Sequence, residues 1–285
     1  MQSDAGSVRP LTSSDPLAPS RRMRRKFCAE VAALRLPRGP ESPALVTEAD
    51  VHDLPGVVRR YLDFMRVVGK PWVWSFRAHA TGRFRMGPEK PWLECEAWQY
   101  DTCFGGIARI FHMRLRFGGI VPVYVRDTYA GRHGRMLGRA FDAIPVVDVA
   151  DAKIDTGELV TYLNDAILFA PAMLLGPSTR WQAVSDHAFD VALTDGDRTV
   201  RARVFLDDRG APIDFETTDR FGTDPADPKG MVRARWTTPI RGWHLDADRP
   251  VQTGGQAIWH FVSGVFAYAD FELQPEDVEL NVQPR

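Results

Sequence analysis

From Leu93 to Ala130 apolar and polar residues alternate with a period of two, and the tetrapeptide FGGI interrupts the pattern at 104–107 and again at 117–120. Alternation of this kind predicts strands, because successive side chains on an extended chain point to opposite faces. Gly-Gly between alternating segments reads as a two-residue hairpin turn. Three strands, roughly 93–104, 107–117 and 120–130, then form a meander. Counting outward from the turns sets Trp98 against Met113, Tyr100 against Phe111, and Met113 against Tyr124. One face collects Trp98, Tyr100, Phe111, Met113, Leu115, Phe117 and Tyr124 and is expected to be the more buried. The other carries Gln99, His112, Arg114, Asp127 and Tyr129, with Ile110 and the valines at 121, 123 and 125 among them. That mixture predicts a second layer or a cavity over the polar face. A one-residue slip in either turn would dismantle the arrangement.

Two segments carry helical periodicity instead. DLPGVVRRYLDFMRVVG (53–69) has apolar residues three and four apart, Asp53 placed as a cap and Gly69 at its end. DTGELVTYLNDAILFAPAMLLG (155–176) opens with Asp155 and Glu158 spaced as a capping box, and Pro171 is expected to kink its last turns. Beyond it, short alternating segments joined by TDGD and DDRG read as hairpins. The pattern predicts an α+β fold: a curved antiparallel sheet, a half-barrel or cup, packed on two or three helices. Residues 45–285 form one domain in this reading, preceded by a disordered arm, 1–44, that holds a short basic helix, Arg21–Leu36. That helix either packs on its apolar stripe or meets an acidic partner or membrane surface.

Composition narrows the function classes. The chain has 285 residues, 44% hydrophobic and 26% charged, with a formal net charge of −1. No global field favours nucleic acid, and no window is long and apolar enough for a membrane span. The basic N-terminal stretch lacks the apolar run of an export signal. Cys28, Cys95 and Cys103 form no C-x-x-C pair, which points to reduced thiols in a cytoplasmic protein. Metal-ligand spacings, phosphate loops, dinucleotide fingerprints and nucleophile elbows are missing, so neither metal nor cofactor is expected. Oligomeric state is left open.

What remains is Asp127. A carboxyl group among apolar side chains has its pKa raised by desolvation and lowered again by a neighbouring cation. With His112 and Tyr129 it forms an acid–base candidate, and Arg114 or Arg220 can supply the partner charge. Tyr162 and Asp165 lie three apart on the long helix and would join the cluster if that helix packs over the mixed face.

Taken together, LPGVVRRYL…VGKP, W…QY, DTYAGRHG, GELVTYLND…APAMLL, RWQAV and IWHFVSGVFAYADFEL resemble a family of bacterial proteins of unknown function, over most of the chain from about residue 53. Members read Arg-Tyr-Leu-Ala-Glu where this chain has Thr161-Tyr162-Leu163-Asn164-Asp165. The resemblance implies Gln99, Asp127, Tyr129, Tyr162, Asp165 and Arg220 as site positions. It also implies a fold similar to the lipid-binding cups of lipoprotein carriers. Three functions follow as expectations: a cup for an apolar or amphipathic small molecule, a cofactor-independent isomerase, cyclase or hydrolase acting through Asp127, or a purely structural tie made by Asp127 between sheet and helix.

Overall fold

The structure, a computed structural model, describes residues 19–117, 121–141, 143–245 and 248–284. After α1 (Pro19–Ala33), α2 (Glu48–Val51) and α3 (Gly56–Phe64), the chain runs as a meander of six strands. These are β1 (Ser75–Phe84), β2 (Leu93–Thr102), β3 (Ala108–Phe117), β4 (Val121–Ala130), β5 (His133–Ala140) and β6 (Ile144–Val149). Helix α4 (Ala152–Phe169) follows, then β7 (Thr179–Ser185), β8 (Ala188–Asp195), β9 (Arg198–Leu206), β10 (Pro212–Thr223) and β11 (Met231–Thr237). The chain closes with β12 (Ile240–His244), β13 (Val251–Phe261), β14 (Gly264–Glu272) and β15 (Val278–Leu280).

All fifteen strands belong to one curved, open antiparallel sheet, ordered β6-β5-β4-β3-β2-β1-β14-β13-β11-β10-β9-β8-β7, with β12 on β13 and β15 on β1. The sheet dominates more than the expected packing on helices implied. Strands β6 and β7 are the two ends of the sheet and neighbours in sequence, so their connection must cross the whole cup. Helix α4 is that connection, about 27 Å long at 1.5 Å per residue. It is buried along nearly its whole length. No helix among the described residues is long and apolar enough to cross a membrane.

Local chemistry moves the helix boundaries. Asp151, not Asp155, caps α4, its carboxylate accepting from the amides of Lys153 and Ile154. Asp155 instead accepts from Gly134 N and Arg198. The helix therefore starts a turn early, and Glu158 sits inside it rather than in a capping box. The helix stops at Phe169, and Pro171 opens a separate 3-10 turn, Pro171–Leu174. In α3, Pro55 takes the capping position expected of Asp53, and the helix ends at Phe64. Helix α1 lies on the outer face of the sheet, burying Met23, Phe27 and Val31, four apart.

The meander's strands are those expected, but each register is off by one. Trp98 pairs with His112 and Gln99 with Phe111. His112 pairs with Arg126 and Phe111 with Asp127. At the first turn, Gly105 and Gly106 both have positive φ, yet they sit within a five-residue connection, 103–107. Cys103 N and Thr102 Oγ1 both donate to the carbonyl of Trp74, which draws the chain away from β3 before the glycines are reached. The second Gly-Gly pair, at 118–119, lies outside the described residues. A true two-residue turn does occur next, at Gly131-Arg132, between the paired Ala130 and His133.

The two slips cancel across the meander. Strand β4 returns to phase with β2, so Gln99, Asp127 and Tyr129 share the concave face, joined by Phe111, Met113 and Leu115. Strand β3 is inverted relative to expectation. His112 and Arg114 project from the convex face with Trp98, Tyr100 and Tyr124, under or beside α1, and the predicted apolar face is divided between the two sides.

Gly134 marks the closest approach of the sheet to α4. A Cβ added there would sit 2.8 Å from the Ile154 carbonyl oxygen and 3.0 Å from Asp155 Cα. Backbone cannot yield as a side chain can, so Gly134→Ala is expected to lower stability by about 1–3 kcal/mol. Urea unfolding checks this, and an unchanged midpoint would show that the helix does not depend on that contact.

Candidate functional site

The two halves of the cup treat α4 differently. On one side Phe189, Val191, Val200, Val204 and Phe215 from β8, β9 and β10 close against it with no gap in the apolar core. On the other, β2–β4 present Ala97, Phe111, Met113, Leu115, Val123 and Val125 as a separate cluster that the helix does not reach. The space left is a cavity of about 530 Å³, also walled by Leu168 and Phe169 of α4 and by Trp236, Trp259 and Tyr268.

Polar groups converge at the helix side of this cavity. Arg109 is buried and donates to Glu158 (2.8 Å) and to Asp165 (2.9 Å). Asp165 also accepts from Gln99 (2.6 Å) and Asn164 (3.2 Å), and Asn164 accepts from Thr238 (2.6 Å). Gln99 donates as well to the fully buried Asp101 (3.1 Å). Asp127 and Arg220 line the same cavity. Arg220 stacks over Trp236 (4.2 Å to the ring centre) and Trp259 (5.5 Å), and donates to Tyr268 Oη (3.2 Å). A bulge in β10 aims it there: Thr217 pairs with Trp236, but Arg220 pairs with Ala234, so one extra residue reverses the alternation.

The electrostatics follow from four carboxyl groups facing two guanidinium groups in a site largely shielded from solvent. Burial, with the charge of Asp165 added, raises Asp101 well above the carboxylate range. Burial and Asp127 raise Glu158 to about 7 against the pull of Arg109 and Arg220. Burial raises Asp127 too, opposed by Arg109, Arg220 and His112. Arg109 stays charged: burial works against it, but Asp165, Glu158, Asp101 and Asp127 more than offset that. Asp127 makes no hydrogen bond to the protein among the described residues, and its Oδ1 is shielded from water with no partner. An unsatisfied carboxyl group on the wall of an apolar cavity is the pattern of a group kept for a ligand or a proton.

Of the residues the sequence singled out, Gln99, Asp127, Asp165 and Arg220 meet at this cavity. Tyr129 shares their face but donates to Asp195 (2.8 Å), tying β4 to the β8–β9 end. Tyr162 is sealed in the core, where its hydroxyl finds no hydrogen-bond partner among the described residues. His112 and Arg114 belong to the other surface. His112 Nε2 lies 2.6 Å from Glu30 of α1, which also accepts from Arg126, and Arg114 donates to Glu96. His112 thus has no direct contact with Asp127 and docks the N-terminal helix.

Burial would raise the Glu30 carboxyl, but its hydrogen bond to His112 and the charges of His112 and Arg126 hold it lower. A depressed carboxylate stabilises the fold above its unfolded pKa and loses that contribution as pH falls through the folded one. Protection factors for hydrogen exchange along Met23–Val31, each taken relative to the intrinsic rate at that pH, should therefore fall on acidification below about pH 4.5. Glu30→Gln should abolish that pH dependence, and an equal response in both proteins would remove Glu30 from the docking.

Arg109, Asp101 and Glu158 were not picked out in the sequence. The expected register put Arg109 on the aromatic face, on the other side of the sheet from Asp127, and the capping reading used up Glu158. The available signal was a polar stripe, Glu158, Thr161 and Asp165, on an otherwise apolar helix.

The model of a family of unknown function, DUF6544, matches residues 44–271. The chain belongs to that family. This DUF6544 protein is also similar to a LolA superfamily protein from Nitrosomonas europaea, at 14% identity and a TM-score of 0.39, over 83% of this chain and 94% of that one. It is similar to a domain from Vibrio parahaemolyticus assigned to outer membrane lipoprotein-sorting proteins, at 9% identity and a TM-score of 0.37, over 79% and 90% of the two chains. Likeness at this level carries no functional argument. No curated protein matches the sequence.

Proposed function

We propose that the protein binds an apolar or amphipathic small molecule between the β2–β4 face and α4. The observation that carries this is the cavity: about 530 Å³, walled by aliphatic and aromatic side chains, with a few polar groups gathered at one side. Ligand sites are typically about 300–1,000 Å³ with that distribution. Apolar walls supply affinity through burial, and the polar end fixes orientation. Native mass spectrometry, solvent extraction and titration with the neutral fluorophore N-phenylnaphthylamine test it. A bound adduct or saturable fluorescence is expected, reduced by Val125→Trp, which fills the space. No binding, or binding that Val125→Trp leaves intact, overturns the proposal.

One observation favours a second reading, a cofactor-independent enzyme. Asp127 is an unbonded carboxyl group with a raised pKa on the cavity wall, which suits proton transfer to or from an apolar substrate. In that reading Asp127→Asn keeps fluorophore binding, but the extracted molecule no longer changes mass or isomeric form on incubation with the protein.

A further inference from the structure

We infer that the bound molecule carries a single carboxylate, held by Arg220, with its apolar tail lying along Val123, Val125, Met113 and Leu115. This rests on the cavity reading and adds the chemistry of the headgroup. The two arginines are unequally paired. Arg109 is matched, with hydrogen bonds to Glu158 and Asp165. Arg220 makes none to a carboxylate: its one hydrogen bond among the described residues goes to a neutral tyrosine hydroxyl, and its plane rests on Trp236 and Trp259. Stacking orients a guanidinium while leaving its edge free to donate, and that edge borders the cavity. A fork of N–H donors is the shape complement of a carboxylate.

The surroundings select one negative charge and no more. Asp127 and Asp165 line the cavity with Arg109 and Arg220, Glu158 accepts from Arg109 away from the cavity wall, Asp101 accepts from Gln99, and His112 acts on Asp127 through the sheet. A doubly charged phosphate would leave excess negative charge among these carboxyl groups, whereas one carboxylate adds a single charge and fits a guanidinium that holds no carboxylate by hydrogen bond among the described residues. The unbonded Asp127, when protonated, donates a second hydrogen bond to the same headgroup. An amine would meet Arg220 as a like charge. An alcohol would offer the guanidinium only a neutral acceptor, and so a weaker hydrogen bond than a carboxylate.

The test is competition against N-phenylnaphthylamine at pH 7 by dodecanoate, dodecanol and dodecylamine on the intact protein. Dodecanoate is expected to bind about 10- to 100-fold more tightly than dodecanol, the range of a charged hydrogen bond. Arg220→Gln should erase that margin and leave dodecanol unchanged, while Arg220→Lys should restore part of it. Asp127→Asn should leave that margin in place, because the amide still donates to the headgroup. If dodecanol or dodecylamine matches dodecanoate in the wild-type protein, the headgroup inference is overturned and the cavity stands. If none of the three displaces the fluorophore, the cavity reading itself fails.

Discussion

Replacing Arg109 with methionine is expected to lower the free energy of unfolding by about 3–5 kcal/mol, the usual cost of removing one partner of a buried ion pair. Its side chain is 5% exposed, against 3% for Glu158 and 10% for Asp165, so water cannot take over its role. Without the guanidinium, Glu158 and Asp165 must be buried together with no cation in contact. Glu158 already titrates near 7 with Arg109 in place, so the variant should hold its carboxyl proton to higher pH. The deficit should therefore be smaller in acid and grow as the pH rises past about 7. Urea unfolding across that range measures it, and a deficit independent of pH would mean that Arg109 contributes packing rather than charge.

Asp127→Leu should do the opposite and stabilise the fold by about 1–3 kcal/mol, the order of an unsatisfied buried polar group. The change breaks no hydrogen bond among the described residues, and the attraction of Arg109 and Arg220 that it removes is outweighed by burial, as the raised pKa shows. The sign of the pH dependence is fixed by its raised pKa. A buried carboxyl group with a raised pKa costs stability as the pH climbs from its unfolded value, about 3.9, to its folded one. The gain in Asp127→Leu should open over that interval and stay constant above it. A lower melting temperature in the variant would revive the structural role, in which Asp127 ties the sheet to the helix. Loss of ligand without loss of stability marks a functional group.

Much of this was legible in the residues. Alternation located the meander strands to within a residue or two, and the apolar run of α4 announced a buried helix. Register was not legible, because it depends on whether a connection holds an odd or even number of residues. The chain around Gly105 was committed to Trp74 before the turn began, a contact between segments about thirty residues apart that no local pattern encodes. Gln99, Asp127 and Tyr129 shared a face all the same, since two errors of one residue restore the phase. His112 and Arg114, on the strand between them, could not be rescued in that way. The bulge that turns Arg220 inward has no marker in IDFETTDRF. Asp151 and Asp155 both offer good caps, and only the partners of Asp155 on β5 and β9 decide between them.

An open sheet ends in rows of unpaired peptide groups, which a second molecule can extend by edge-to-edge growth. At the β6 end the hazard is sharpened by Ile144 and Val146, both more than half exposed. Between them stands Pro145, which has no N–H to offer an incoming strand, and the pairing of β6 with β5 is itself irregular between Gly138 and Arg139. A continuous ladder cannot form across that interruption. At this end of an unclosed sheet, the proline leaves any added strand one backbone donor short.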